Sequence, residues 1–445
     1  MKKILVVLLI LATAGGLFAQ DEGGIKIGAW GRAGWAPLVI QGNQDVEGAA
    51  GDTKNYIGVG SGPAWTGDHS AAVGFTVSGS DESGVIGFQV GIRTNGDDAS
   101  LYIVDQTANA WIKPFGDILK LTGGLYQVDD LRGKIGGTNE NFDIGFAKTG
   151  GEDGIFTRFE SSKFGFHLKL VPIDPLQIHV SLGENMAYGG DVPQDKNGIG
   201  DILTTGQYAI GFTIEDIGLA RAQFIGGKYG KAGFYGANPI NIGAGKAAWY
   251  NQFQLAFNLT AVEGLNLDIG ATIPLKVTAK EIEDTAVYYP YGTTGLGKDG
   301  YVQEPIVIAA GAKYETGDIG VYFYADAKVG GKKNYLGVGD DTEDGIGIDV
   351  TVEPSYSLGD IGKVIADISF RFVGNGKTAG TDAKDGHMDL GLGASYHKSV
   401  GGGNFSIGLA TTIPLGGDGY DGDANKVAKA QAFKLAVPII WTYSL

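Results

Sequence analysis

The chain has 445 residues, a formal net charge of −16 and 77 glycines, and it contains no cysteine. The acidic balance argues against nucleic acid as a partner. The missing cysteine excludes disulfides and anchoring through a lipidated N-terminal cysteine.

Read in order, the chain opens on Met1-Lys2-Lys3, an apolar run from Ile4 to Ala12, and Leu17-Phe18-Ala19 before Gln20 and Asp21. A basic start, an apolar stretch and small residues before a cut make a secretory signal peptide, expected over residues 1–19. Its apolar run is shorter than the ~20 residues a membrane helix needs. No later run reaches that length. Residues 20–445 are expected to form one exported domain, because no shift in composition divides them.

A period of two then takes over. Ile86-Phe88-Val90-Ile92, Phe164-Phe166-Leu168-Leu170, Phe253-Leu255-Phe257-Leu259, Ile368-Phe370-Phe372 and Phe405-Ile407-Leu409 alternate with small or polar residues. Successive strand side chains point to opposite faces, so each stretch has a face fit for hydrocarbon and a face fit for water. The run Phe433–Leu445 alternates without a break. Phe433, Leu435, Val437, Ile439, Trp441, Tyr443 and Leu445 share one face, opposite Lys434, Pro438 and Thr442. A barrel in a bilayer needs such a strand to close its ring, since open edges have no water to bond.

Turn-forming residues punctuate the pattern. Eight short turns fall at Ser80–Ser83, Pro114–Asp117, Pro172–Pro175, Glu215–Gly218, Ala261–Gly264, Glu315–Asp318, Ser357–Gly362 and Ser399–Gly403. Nine longer Gly/Asp/Asn-rich segments alternate with them, near 41–69, 95–100, 128–162, 184–205, 227–246, 275–303, 330–345, 375–386 and 415–429. The reading is an all-β fold: a transmembrane antiparallel β-barrel of 16–18 strands, 18 favoured, with short periplasmic turns and long outer loops.

The segment Ala108-Asn109-Ala110-Trp111-Ile112-Lys113-Pro114-Phe115-Gly116-Asp117-Ile118-Leu119-Lys120-Leu121-Thr122-Gly123-Gly124 resembles the strand–turn–strand pattern of outer-membrane porins. A long loop follows, as it does before the pore-constricting third loop of that family. The resemblance implies an outer-membrane location, a possible trimer, and assembly by the outer-membrane machinery acting on the C-terminal strand. Its partners would be outer-membrane lipids and small hydrophilic solutes.

No motif argues for an enzyme, a cofactor or a metal. Gly292-Thr-Thr-Gly-Leu-Gly297-Lys298-Asp299 nearly matches a phosphate-cradling loop, but Asp299 replaces the hydroxyl and no helix follows. The acidic runs Asp340–Gly345 and Asp418–Asp423 lack the full calcium-loop spacing. His167 and His179 flank the Pro172–Pro175 turn on polar faces, where they are ordinary lumen residues or a metal or pH-sensitive pair meeting across strands. No catalytic residue is assigned.

Charges on the polar faces carry the functional expectation. With the apolar faces in lipid, Lys26, Arg32, Arg93, Lys113, Lys120, Lys169 and Arg221 fall to the lumen from the first half of the chain. Asp268, Asp326, Asp349, Glu353, Asp367 and Asp389 follow from the second, with Lys328, Arg371 and Lys434 as exceptions. One basic wall would face one acidic wall across a pore lined for solutes. The third long loop, 129–162, is the expected constriction, with Asp129, Asp130, Arg132, Lys134, Arg158 and Glu160 as its charges and Ile155-Phe156 as an apolar stretch. Residues Gly154–Glu160 alternatively extend the wall as strand. The expected function is passive diffusion of small hydrophilic solutes, selected by size and wall charge. A sugar-selective channel using Tyr322, Tyr324, Trp30 and Trp111 is one alternative, and a structural or adhesive surface barrel is the other. Asp268→Arg on the lumen side is expected to be tolerated.

Overall fold

The computed structural model describes residues 24–41, 56–60, 72–95, 102–131, 158–161, 165–183, 206–225, 240–241, 247–248, 252–275, 277–278, 301–303, 305–334, 342–343, 345–374, 387–416, 418–420, 427–429 and 433–444. The expected signal peptide and the 292–299 loop lie outside them.

Eighteen antiparallel strands make the wall. They are β1 (Lys26–Gln41), β2 (Ala72–Ser80), β3 (Ile86–Asn95), β4 (Tyr102–Ile112), β5 (Leu119–Leu125) and β6 (Gly165–Ile173). Next come β7 (Leu176–Gly183), β8 (Gln207–Ile214), β9 (Gly218–Ile225), β10 (Gln252–Leu259), β11 (Leu265–Pro274) and β12 (Ile306–Thr316). The last are β13 (Ile319–Val329), β14 (Gly347–Ser357), β15 (Lys363–Val373), β16 (His387–Val400), β17 (Gly403–Gly416) and β18 (Lys434–Ser444). Each pairs with the next, and β18 pairs back onto β1 from Ser444 opposite Trp30 to Lys434 opposite Gln41. That last ladder closes the ring. Tyr56–Gly60 uses the same edge of β1 as β2 does, opposite Ala36–Gln41, so it extends a stave without adding one.

All eight expected short turns join wall strands on the rim that carries Lys26 and Ser444. Two-residue hairpins need a left-handed φ at one or both central positions, which glycine adopts without strain. Gly317 has φ 57° in the Gly317-Asp318 turn, and Gly401 and Gly402 have φ 53° and 88°. At the first turn the Asp81 carboxylate accepts from the Ser83 hydroxyl and from the Ile86 N–H at 2.8 Å, which holds its carboxyl below the usual range. Lys113 does the same for Asp117 at 2.9 Å.

The pleat sorts the two faces as the alternation requires. In β10, Phe253 and Leu255 point out and are exposed, while Gln252, Gln254 and Asn258 point in and are buried. The same sorting leaves Trp35, Ile210, Phe212, Ile308, Ile368, Leu409 and Trp441 on the outer surface. An outer surface this apolar is stable only against hydrocarbon. Leu255→Arg or Ile269→Arg, at 51% and 45% exposure, is therefore expected to cost about 2–4 kcal/mol near the bilayer midplane. Gln89→Arg, on the inward face of β3, is expected to cost much less. Equilibrium unfolding from lipid vesicles checks this; the reverse order of costs would invert the two faces.

Candidate functional site

The lumen is built from the inward face of each strand, so which charges meet there follows from register. Arg32, Arg93, Lys120 and Lys169 are half-buried on the inner face. Arg32 and Lys120 each lie over a tryptophan, Trp30 at 5.6 Å and Trp111 at 5.0 Å. Both rings cover a cross-strand glycine, Gly74 beneath Trp30 and Gly87 beneath Trp111, where a Cβ would collide with the indole. These tryptophans are thus packed against the wall. Lys26 sits exposed at the short-turn rim, and Lys113 belongs to the hairpin turn with Asp117, beyond the wall proper.

The acidic residues face inward as expected but are not open to water. Asp268, Asp326, Asp349, Glu353, Asp367 and Asp389 are between 0 and 6% exposed. Asp349 accepts from Arg371 at 2.7 Å, and Asp367 accepts from the Ser369 hydroxyl at 2.7 Å. Arg221 and Asp268, placed by sequence on opposite walls, form an ion pair with both side chains fully buried. The reason is angular: β9 and β11 flank β10, so the last basic residue and the first acidic one are near neighbours on the ring. Two separate charged walls are therefore a correction. The boundary between them is neutralised, and the six acidic side chains are closed to solvent.

A second correction concerns the aromatic track. Tyr322 and Tyr324 point inward but are buried in an apolar cluster with Val307, Ala309, Ala209 and Ala256. They offer no face to a sugar ring.

What covers part of this wall is the root of the third long loop. Gln127–Val128 pairs with Phe159–Glu160 as a short ribbon that joins neither neighbouring wall strand. Strand therefore does occur near Glu160, but as loop stem and not as an extension of the wall. Ser161 locks the ribbon. Its hydroxyl accepts from the Tyr126 N–H at 3.1 Å and donates to the Gly124 carbonyl at 2.8 Å. The ribbon and the residues beside it lie against the inner wall. The Tyr126 and Ser181 hydroxyls are 2.6 Å apart, and Phe159 stacks on His179 with centroids at 5.1 Å. Lys169 reaches Asp130 at 2.6 Å, and Arg221 donates to the Leu131 carbonyl at 3.0 Å. Leu131 fills the space over Gly211, where a Cβ would meet its methyls. Arg158 and Asp129 pair across the stem at 3.0 Å. Arg132, Lys134 and Ile155-Phe156 lie outside the described residues, as does the Glu160 side chain.

The sequence reading missed Tyr126, Leu131, Phe159, Ser161 and Ser181 as site residues. Tyr126, Leu131 and Phe159 had one legible signal: large apolar side chains in or beside a loop rich in charge. His167 and His179, left open, do meet: their ring nitrogens are 3.2 Å apart.

No protein-family model matches the sequence, and no curated protein matches it. Among solved structures, OccK2 (OpdF) of Pseudomonas aeruginosa is similar at TM-score 0.53 and 9% identity, over 95% of this chain and 97% of that one. The outer membrane protein opdK of the same organism aligns at TM-score 0.49 and 11% identity, over 96% and 99%. The anion-selective porin of Comamonas acidovorans aligns at 0.45 and 13%, over 95% and 100%. With the closed ring and the short and long rims, the first of these likenesses shows the fold: an 18-stranded β-barrel of the outer-membrane porin type.

Proposed function

We propose that the protein is an outer-membrane channel for passive diffusion of small hydrophilic solutes, exported through a signal peptide at residues 1–19. One observation supports this most: the stem of the 129–162 loop turns into the barrel and binds its inner wall instead of standing above the rim. A stem held inside narrows the lumen and sets the size limit. The half-buried Arg32, Arg93 and Lys120 meet passing solutes, whereas the six buried carboxylates do not, so wall charge favours anions. Sieving by width and charge needs no covalent step.

Deleting residues 136–150, beyond the anchored stem, is expected to raise single-channel conductance in planar bilayers several-fold. Arg32→Gln with Arg93→Gln is expected to lower the anion preference without changing width. Unchanged conductance in a folded deletion variant would remove the loop from the pathway. The burial of those carboxylates favours a second reading, a sealed barrel that displays its long loops. Bilayers that stay silent with correctly folded protein would establish that reading instead.

A further inference from the structure

We infer that the His167–His179 pair is an acid-released latch for the inward loop stem. This rests on the channel reading above only for its effect on conductance.

The geometry assigns the protons. His179 Nε2 lies 3.4 Å from the Gln177 side-chain oxygen, which only accepts, so Nε2 carries hydrogen. His179 Nδ1 is then the acceptor for His167 Nε2–H, 3.2 Å away. That leaves His167 Nδ1, which is buried and has no partner among the described residues. The pair is neutral and holds two ring hydrogens. Both rings are closed off, at 1% and 0% exposure.

Their lid is the stem itself. Phe159 lies 5.1 Å from each imidazole, stacked on His179 and tilted on His167, and Tyr126 lies 5.7 Å from His167. A further proton has two places to go, and each damages the docked state. On His167 Nδ1 it makes a buried N–H with no acceptor among the described residues. On His179 Nδ1 it points two N–H groups at each other and breaks the bond between the rings. Either way a buried cation appears beside Lys120 and Lys169, the basic groups of the adjoining β5 and β6. From the stem, Asp130 is already held by Lys169 at 2.6 Å. Asp129 is engaged by Arg158. β7 adds only Gln177 and Ser181, and β8 only Ala209 and Gln207, all uncharged.

With the stem released, water reaches both rings and each can take a proton. The released state therefore binds more protons than the docked one, so docking is complete at neutral pH and is lost on acidification. The chain thus couples the proton concentration around it to the position of its constriction.

The test uses the full-length protein in planar bilayers at pH 7 and pH 4. Wild-type conductance is expected to change at least about twofold between them, and His167→Gln with His179→Gln to show no such change. In a second variant, Leu131→Cys with Gly211→Cys, an oxidised bridge tethers the stem to β8, in a chain that otherwise lacks cysteine. It is expected to abolish the pH response, and a reductant to restore it. Hydrogen exchange over residues 126–131 and 158–161, corrected for intrinsic rates, reads docking without any current. Equal protection at both pH values would overturn the latch. Loss of protection at pH 4 in a barrel that passes no current would support the latch and refute the channel reading. A pH response that persists in the double glutamine variant would assign it to other groups and refute the role of the pair.

Discussion

Removing residues 441–445 is expected to abolish the folded barrel. The closing ladder sets Trp441 opposite Ala33, Thr442 opposite Arg32, Tyr443 opposite Gly31 and Ser444 opposite Trp30. The same residues pair on their other side with Phe405, Asn404 and Gly403 of β17. Their loss opens both neighbours over several positions at once. In hydrocarbon each unsatisfied backbone group costs several kcal/mol, and no water replaces the missing partner. Trp441, 62% exposed on the outer face, is also lost as an interfacial anchor. The outcome is read by detergent extraction and heat-modifiable migration in gels. The deletion variant should be absent from the membrane fraction or unfolded within it. A heat-modifiable, inserted barrel would show that the remaining pairs of β18 suffice for closure.

Arg221→Met is expected to destabilise the barrel by about 3–5 kcal/mol, the usual cost of removing one partner from a buried ion pair. Asp268 would keep its charge in a fully buried place, and the Leu131 carbonyl would lose its donor. Asp268→Arg is expected to be at least as damaging, since it buries two guanidinium groups together. The sequence reading had it tolerated, and the buried ion pair reverses that expectation. Arg221→Met with Asp268→Leu should recover most of the loss, because neither charge is then left alone. Unfolding free energies in lipid vesicles measure all three variants against the wild type. Recovery of stability without recovery of the wild-type constriction would separate two roles of Arg221: bracing the wall and holding the loop at Leu131. If Arg221→Met alone proved harmless, the pair would not be contributing in the bilayer.

Much of the wall was legible in the residues themselves. A period of two and turn residues at regular intervals are local properties, and Phe253 to Leu259 or Gly317-Asp318 announce strand and hairpin without help from the rest of the chain. The alternation of short and long connections yields the strand number, and the parity of apolar residues yields the face. Parity also put Asp268 and Arg221 on the inner side correctly. It could not say that they touch, because contact across β10 depends on register, and register is a relation between strands. Nor could it tell an inward charge in water from one sealed off, as the acidic residues are. That depends on what folds over them. The loop stem shows the same limit most sharply. Its residues carry no periodicity, and only the register of β6 through β9 brings His167, His179, Ser181, Gly211 and Arg221 around one space into which Tyr126, Phe159 and Leu131 fit. Sequence by itself determined the barrel, its faces and its rims, because those follow from local side-chain alternation. The occupation of the lumen was decided by tertiary structure, because it is set by contacts between a loop stem and wall strands as many as 90 positions away in the chain.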